Sequence, residues 1–139
     1  MNKYHFAFSL LLLFAVGCSD RVAVTGKVAF PDGTPLESGT VFFESPGSSA
    51  RGYILAGGTY SMESGEFKGI PRGTYQVSIG GYEDEMIPAP IGPNGLPTGM
   101  AKRIPAVIPI AEKYLSASTS GLTCEVKGKT TYDIKVEKP

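Results

Sequence analysis

Few side chains in this sequence are of the types that carry out catalysis or bind a metal. The 139 residues include two cysteines, Cys18 and Cys124, and one histidine, His5. Ser-His-Asp and Cys-His catalysis need a histidine as base, and the usual zinc sites are built from histidine and cysteine. Cys124 shares one face of a predicted strand with Leu122 and Val126, so we expect a buried structural thiol, because a nucleophilic cysteine needs exposure and an electropositive neighbourhood.

The densest acidic cluster, residues 83–85 (EDE), opens a proline-rich stretch. Calcium prefers several oxygens from one loop, but side chains of consecutive residues diverge and the spacing is not that of an EF-hand, so a solvated acidic surface is favoured. Pairing of this cluster with the basic residues 102 and 103 would fold the loop onto itself, and a nearby tyrosine could stack on a sugar or a peptide. The candidate ligand-contact residues are Tyr82, Glu83, Asp84, Glu85, Lys102 and Arg103.

The first seventeen residues have the pattern of an export signal. Lys3 precedes the apolar residues 6–16, whose only polar member is Ser9, and this order is typical of a secretory leader. As a helix this run would cover about 16 Å, roughly half of the hydrocarbon core, so we do not expect it to span a membrane. Removal of residues 1–17 takes away Lys3 and His5. It leaves 12 basic and 13 acidic side chains, and a net charge near −1 gives no reason to expect a nucleic-acid partner.

Residues 15–18 (AVGC) resemble the lipobox of bacterial lipoproteins. The resemblance implies cleavage between Gly17 and Cys18 and a diacylglycerol on the Cys18 thiol, with fatty acids such as palmitate. Acyl chains contribute about 0.8 kcal/mol per buried CH₂, so two or three of them hold a small domain on a bilayer. In such lipoproteins a serine at the second mature position, here Ser19, does not favour inner-membrane retention, so we expect the outer membrane or the cell surface. The alternative is an ordinary Cys18 near a conventional signal cleavage site, either as a free thiol or in a disulfide with Cys124.

The remainder of the chain has the pattern of an all-β domain. Eighteen glycines and eleven prolines favour turns and short strands over helices. After a short tether at residues 18–21, hydrophobic and polar residues alternate in about seven strands between residues 22 and 136. Between residues 80 and 120 the alternation breaks, and six of the prolines lie there. A structureless stretch of this length is usually functional or disordered, or reflects a misassigned element. Residues 110–115 are compatible with one helical turn, in which Tyr114 packs back onto the sheets.

One hairpin is predicted in more detail. Gly-Gly at residues 57 and 58 suits the two positive φ angles of a type I′ turn. With that turn, Leu55 would face Tyr60 and the preceding pair would be Tyr53 and Met62. All four large side chains would then lie on one side of the hairpin.

Several short segments resemble the motifs of carboxypeptidase-regulatory-like domains: residues 24–28 (VTGKV), 32–36 (DGTPL), 39–41 (GTV) and 69–77 (GIPRGTYQV). The resemblance implies a seven-stranded Greek-key β-sandwich of the transthyretin-like (prealbumin-like) type. Residues 110–114 (IAEKY) and 119–122 (TSGL) are in addition similar to small lipoproteins of planctomycete-type bacteria.

These motifs favour structural roles for their residues. Gly26 removes a side chain from a strand, as at a bulge or a close packing point. Pro71 and Gly73 would shape a bend that directs Tyr75 into the sandwich, where its hydroxyl could bond a loop carbonyl as tyrosine corners do. One enzyme relative of transthyretin hydrolyses 5-hydroxyisourate with histidines and a C-terminal Tyr-Arg-Gly-Ser. This chain ends in VEKP and would lose its histidine with the leader, so that activity is rejected.

The sequence therefore predicts a lipid-anchored, non-catalytic envelope module with a structural, adhesive or protein-interaction role and without a cofactor. Its partners would be the membrane, through the anchor, and an envelope protein or polysaccharide. An alternative is small-ligand or carbohydrate binding by residues 80–109. A third hypothesis, an enzyme with paired carboxylates or a Ser-Lys site, has no supporting motif and depends on distances that a sequence does not give.

Overall fold

The computed structural model describes residues 20–139, so the leader, Gly17 and Cys18 lie outside the described residues. The described chain is all-β apart from a single 3₁₀ turn at Glu112–Leu115. In chain order the strands are β1 Arg21–Val22, β2 Val24–Ala29, β3 Thr40–Ser45, β4 Ser48–Tyr53, β5 Thr59–Ser61, β6 Glu63–Ser64, β7 Phe67–Lys68, β8 Ile70–Pro71, β9 Gly73–Gly80, β10 Glu85–Ile87, β11 Lys102–Ile104, β12 Leu122–Val126, β13 Thr130–Thr131 and β14 Ile134–Lys135.

Most of the strands belong to two sheets. The large sheet has the order β12–β9–β3–β4–β6–β7, and all of its neighbours are antiparallel. In the small sheet, β2 lies between β5, which is antiparallel to it, and β13 and β14, which are parallel to it. The pair β1–β8 joins the sheets, because β1 runs into β2 and β8 runs into β9. Strand pairing thus begins at Arg21, inside the segment predicted as a tether.

The predicted alternation is confirmed in β2 and β12, whereas in β9 the polar Ser78 is buried between Val77 and Ile79. In β2, Val24 and Val28 are fully buried while Thr25 and Lys27 are not. A strand with one buried face needs this two-residue period, because successive side chains point to opposite sides of the sheet. The largest fully buried side chains are Tyr75, Phe43, Met62, Ile70, Ile79, Ile110 and Ile134, with valines 24, 28, 41, 77 and 126.

The predicted hairpin at residues 53–62 is wrong in register and in the faces it buries. The turn closes from the Gly58 N–H to the Leu55 carbonyl, at 2.9 Å, so its central residues are 56 and 57. Tyr53 and Leu55 are 55% and 61% exposed, whereas Tyr60 and Met62 are buried. The physical reason is that β4 and β5 do not pair with each other: β4 belongs to the large sheet and β5 pairs with β2, so the chain changes sheets here.

Gly26 lies where the small sheet is most crowded. A Cβ at this position would lie 1.9 Å from the Tyr132 carbonyl oxygen and 2.8 Å from the Tyr60 hydroxyl. The Tyr60 hydroxyl occupies this space to donate a hydrogen bond to the Tyr132 carbonyl. Burial, the leading cause, raises the pKa of Tyr60 far above its ordinary value, so the phenol keeps the proton it donates.

Tyr75 has the environment that its motif implies. The side chain is 1% exposed, and its ring lies 5.7 Å from that of Phe43 between centroids. Its hydroxyl donates a hydrogen bond of 2.8 Å to the Pro71 carbonyl, in the bend that precedes β9. A buried tyrosine that bonds a carbonyl four residues earlier fixes that bend, as in the corner motif of other sandwiches.

The segment from residue 110 to 121 packs on the large sheet. Ile110 and Tyr114 are buried, and the predicted helical turn is confirmed as the 3₁₀ turn. The Ser120 hydroxyl donates to the Val77 carbonyl of β9, which holds the end of this segment against the sheet. Within residues 20–139, no helix has the length and the apolar character needed to cross a bilayer.

Candidate functional site: an exposed apolar hairpin

The proline-rich stretch predicted as a structureless loop contains a β-hairpin. Strands β10 and β11 are antiparallel, with Glu85 opposite Ile104 and Ile87 opposite Lys102. An isolated bridge between Ile91 and Pro97 continues the pairing towards the turn. We call residues 83–108 the arm, and residues 20–82 with 109–139 the body. Of the alternatives that the sequence left open for this stretch, an unrecognised element is the one that the structure bears out. The pattern did not reveal it because the pairing joins residues 15 to 19 positions apart, across prolines that hide any alternation.

Tyr82 holds the base of the arm against the body. Its hydroxyl donates to the Ser38 carbonyl at 3.2 Å, and its ring lies against Gly39, where a Cβ would come within 2.9 Å of the tyrosine oxygen. Burial of the half-buried ring raises the pKa of this phenol. Tyr82 is therefore engaged in packing at the position where the sequence suggested a stacking platform.

Asp84 closes the base of the arm, next to Tyr82. The carboxylate forms an ion pair with the Arg103 guanidinium, and its Oδ1 accepts a hydrogen bond of 2.8 Å from the Ala106 N–H. The Ala106 N–H and then the Arg103 side chain hold the pKa of this carboxyl below its ordinary value. The structure thus brings Asp84 and Arg103 together, and the loop folds onto itself as that pairing required.

The other charged residues of the candidate loop point into solvent. Glu83, Glu85 and Lys102 are exposed, and within the described chain no salt bridge includes them. Across residues 20–139, no group of three or more His, Cys, Asp or Glu side chains is close enough together to hold a metal ion. The exposed charged side chains therefore form a charged band at the arm's base.

Beyond the base, the arm exposes large apolar side chains. Met100 is 93% exposed, and no residue between 83 and 108 is buried. The exposed large hydrophobic residues of the arm are Met86, Ile87, Ile91, Leu96, Met100, Ile104, Val107 and Ile108. Single exposed apolar residues are ordinary, but a cluster of them on one element marks an interaction site. The sequence offered one signal of it, which is that residues 86–101 contain no charged residue.

The arm and the described start of the chain lie at opposite ends of the body. Arg21 pairs with Pro71, just before β9 begins, whereas the arm follows the end of β9 at Gly80. The eight residues of β9 span about 26 Å at roughly 3.3 Å per residue. An attachment at residue 18 would therefore hold the body by one end and leave the arm at the other.

The remaining candidate residues lie in structural positions. Cys124 is 3% exposed, and burial raises the pKa of its thiol, which is opposite to the shift that activates a nucleophile. Gly73 begins β9 after the bend at Pro71, and Tyr114 is buried against the large sheet. Gly26 is the packing point described above.

Two surface depressions on the body are lined by residues other than the predicted ligand-contact residues. One of about 350 Å³ is lined by Phe42, Arg51 and Glu63 on the large sheet. Another, of about 470 Å³, lies beside the 3₁₀ turn and is lined by Glu112, Lys113 and Leu115. The first has one aromatic residue in its lining and the second has none, whereas a carbohydrate cleft is expected to have aromatic walls.

No protein-family model, curated protein or solved structure matches this chain.

Proposed function

We propose that this chain is a lipid-anchored, non-catalytic module of the cell envelope, whose β-sandwich body presents an apolar hairpin for contact with other envelope components. The observation that carries the proposal is the arm. It places eight large apolar side chains in solvent on a two-stranded element with a fixed base. Apolar side chains stabilise a protein or a complex only when they are removed from water, so we expect a partner to cover the arm.

A transthyretin-like, carboxypeptidase-regulatory-like body is part of this proposal, and strand order supports it. The neighbours β5–β2–β14 form a three-stranded layer, and β4–β3–β9–β12 form a four-stranded layer. With the two-residue strands β6, β7 and β13 left aside, these are seven strands in two sheets, and the first and last of the seven, β2 and β14, are parallel to each other. The hydrogen bond from Tyr75 to Pro71 adds a second point of agreement with the motif at residues 69–77.

The chemistry of the described residues supports a binding role over a catalytic one. The Cys124 thiol is buried, and its raised pKa keeps it protonated. Residues 20–139 contain no histidine to act as its base. The alternative of carbohydrate binding around Tyr82 has less support, because that hydroxyl is bonded to the body and the ring packs on Gly39.

The lipid anchor at Cys18 has its own test. Intact-mass measurement of membrane-extracted protein should show a chain beginning at Cys18 with a diacylglyceryl adduct. Cys18→Ala should release the protein from the membrane or block its processing, and Cys124→Ala, at the buried cysteine, should do neither. A soluble mature protein of unmodified mass would contradict the anchor.

The role of the arm is tested by shortening it. Replacing residues 89–100 with Asn-Gly joins positions 88 and 101, which face each other in the register of β10 and β11, through a two-residue turn. We expect the shortened protein to fold and to stay membrane-anchored, because the body keeps its core. Photo-crosslinkers at positions 86 and 104, which are exposed and present in both forms, should capture envelope components with the full-length arm and lose most of them with the shortened arm. Equal capture by the two forms would refute the proposed role.

A further inference from the structure

The distal part of the arm is an uncharged segment bounded by charge. Sixteen consecutive residues, 86–101, have no ionisable side chain, and we call them the tip. Apart from its apolar side chains, prolines and glycines, the tip contains only Asn94 and Thr98. Five charged residues flank the tip in the sequence, and they lie together at its base in the structure: Glu83, Asp84, Glu85, Lys102 and Arg103. We call these five the collar.

Both polar side chains of the tip are already bonded within it. The Asn94 Oδ1 accepts a hydrogen bond of 3.2 Å from the Leu96 N–H. The Thr98 hydroxyl donates to the Pro90 carbonyl at 3.1 Å. The side chains of the tip are therefore poorly suited to a protein interface, which uses about one hydrogen bond per 100–200 Å².

The backbone of the tip also has few free N–H donors. Four of the eleven residues 88–98 are prolines, which have no N–H, so seven amides remain. Four of these seven donate to acceptors inside the tip: those of Gly92, Gly95, Leu96 and Thr98. Few N–H donors of this turn therefore have to be stripped of water when it enters the boundary between headgroups and acyl chains, where its free carbonyl groups can keep water as a partner. The same prolines oppose strand addition, since an added strand needs a continuous row of N–H donors.

We infer that the tip, residues 86–101, inserts into the lipid bilayer that carries the anchor, with the collar at the level of the headgroups. Lys102 would meet lipid phosphates there while Arg103 keeps its ion pair with Asp84. Ile91, Leu96 and Met100 would enter the acyl boundary. A bilayer is the partner that fits, because it offers apolar contact and demands no hydrogen bonds from the tip. This inference rests on the proposed function, since the anchor decides which bilayer is in reach.

The anchor makes insertion into its own bilayer the favoured geometry. The base of the arm is about 26 Å from the attached end of the body, so the body can lie along the surface and bring the tip to it. A tethered tip meets that surface at an effective concentration in the millimolar range, so even weak insertion is populated. The tip thus becomes a second point of attachment that fixes how the body lies.

The inference can be tested with one reporter, because the sequence contains no tryptophan. Lipidated Leu96→Trp protein is reconstituted into dilute vesicles whose acyl chains are brominated near the headgroup. We expect a blue-shifted emission that the bromines reduce about twofold, since interfacial segments lie about 5–10 Å deep in the headgroup and acyl boundary. The quenching should not change when further vesicles are added, because the tip is in its own bilayer.

Three matched variants separate insertion of the tip from mere proximity and from the contribution of the anchor. Tyr53→Trp places the reporter on an exposed position of the body, and it should stay unquenched even if the body rests on the headgroups. Ile91→Asp in the Leu96→Trp background adds a charge to the tip and should abolish quenching without unfolding the body. Cys18→Ala with Leu96→Trp, added to preformed vesicles, should show a weaker quenching that comes from the tip alone.

The outcomes separate the two proposals. Lipidated Leu96→Trp protein whose tryptophan emission is unquenched would overturn insertion and leave the anchored module intact. Quenching that grows only as vesicles are added in excess would overturn insertion into the anchor's own bilayer. A third outcome combines two results: the mature protein has an unmodified mass, and the variant with both Cys18→Ala and Leu96→Trp is still quenched. Together these results would refute the anchor and support insertion of the tip.

Discussion

The body and the arm both consist of β-strands, yet the body buries its large apolar side chains and the arm exposes them. Ile79 in β9 is fully buried, whereas Ile91 in the arm is 66% exposed. The body has two sheets that cover each other, while the arm has two strands and no second layer. Strand pairing satisfies the backbone, but only a facing layer removes side chains from water. An apolar residue in a β-strand is therefore core or contact surface depending on what lies opposite it.

The arm keeps its shape by other means. Tyr82 packs at its base, Asp84 binds Arg103 and the Ala106 N–H, and prolines restrict its backbone. These contacts are few and mostly exposed to solvent, so they hold a hairpin without adding much to the stability of the whole domain. The body, by contrast, has no buried side-chain nitrogen or oxygen atom without a hydrogen-bond partner within the described residues. The two regions should therefore respond to mutation on different scales.

The largest effect is expected at Tyr75. Tyr75→Ala should lower the free energy of unfolding by about 3–5 kcal/mol, because it removes a large buried ring and the hydroxyl that bonds Pro71. Chemical denaturation of the purified protein measures this. Tyr53→Ala, at an exposed tyrosine of the same sheet, should change stability by no more than about 0.5 kcal/mol. A cost below about 1 kcal/mol at Tyr75 would show that the two sheets do not close around it.

A smaller loss is expected from adding a single methyl group at Gly26. Gly26→Ala should cost about 1–3 kcal/mol, because the new Cβ cannot stand 1.9 Å from the Tyr132 oxygen and the backbone must shift. Gly128→Ala is the matched control, since a Cβ there meets nothing within 4 Å. Thermal unfolding of the two variants side by side tests the close approach, and equal midpoints would contradict it.

The base of the arm should respond to pH in the acidic range. The folded-state pKa of Asp84 lies below its ordinary value of 3.8, so the carboxylate holds the base closed above that value. The stabilisation is lost as the pH falls through the lowered pKa, and it does not change on the alkaline side. The Ala106 amide proton, followed by NMR from about pH 6 to about pH 2, should shift in this acidic window.

Two variants show whether this titration belongs to Asp84. Asp84→Asn should remove the shift of the Ala106 amide and loosen the hairpin, with little change in the core signals. Glu83→Gln, at the neighbouring exposed carboxylate, should leave the shift in place. A titration that survives Asp84→Asn would mean that another group closes the base.

The smallest effect on stability is expected at the tip. Ile91→Ala should change the free energy of unfolding by no more than about 0.5 kcal/mol, because the side chain is largely in water before and after unfolding. Ile79→Ala, the same substitution at a fully buried position, should cost about 2–5 kcal/mol. Denaturation of the purified proteins in the absence of lipid makes the comparison, and similar losses at both sites would mean that the tip packs on the body.

The elements that the sequence predicted correctly are those with a clear period. Val24 and Val28 in β2, and Cys124 and Val126 in β12, alternate with more exposed residues, so their faces could be assigned before the structure. The hairpin at residues 53–62 had an equally good pattern, and its prediction failed. A shift of one residue moves a strand's side chains to the other face, and the change of sheet between β4 and β5 produced that shift.

At Gly26 the sequence left a bulge and a close packing point open, and the approach to Tyr132 was decided by the tertiary structure. By itself, the sequence determined the all-β class, the core faces of the periodic strands and the bond of Tyr75 to a loop carbonyl. These follow from local rules, because they depend on residues near one another in the chain or on the two-residue period. Only the tertiary structure decided that residues 83–108 pair into an arm, that Tyr82 packs at its base and that the apolar tip stays in solvent. Those outcomes depend on which surfaces meet across long sequence separations. The hydrophobicity of a segment does not show whether another layer of the fold will cover it.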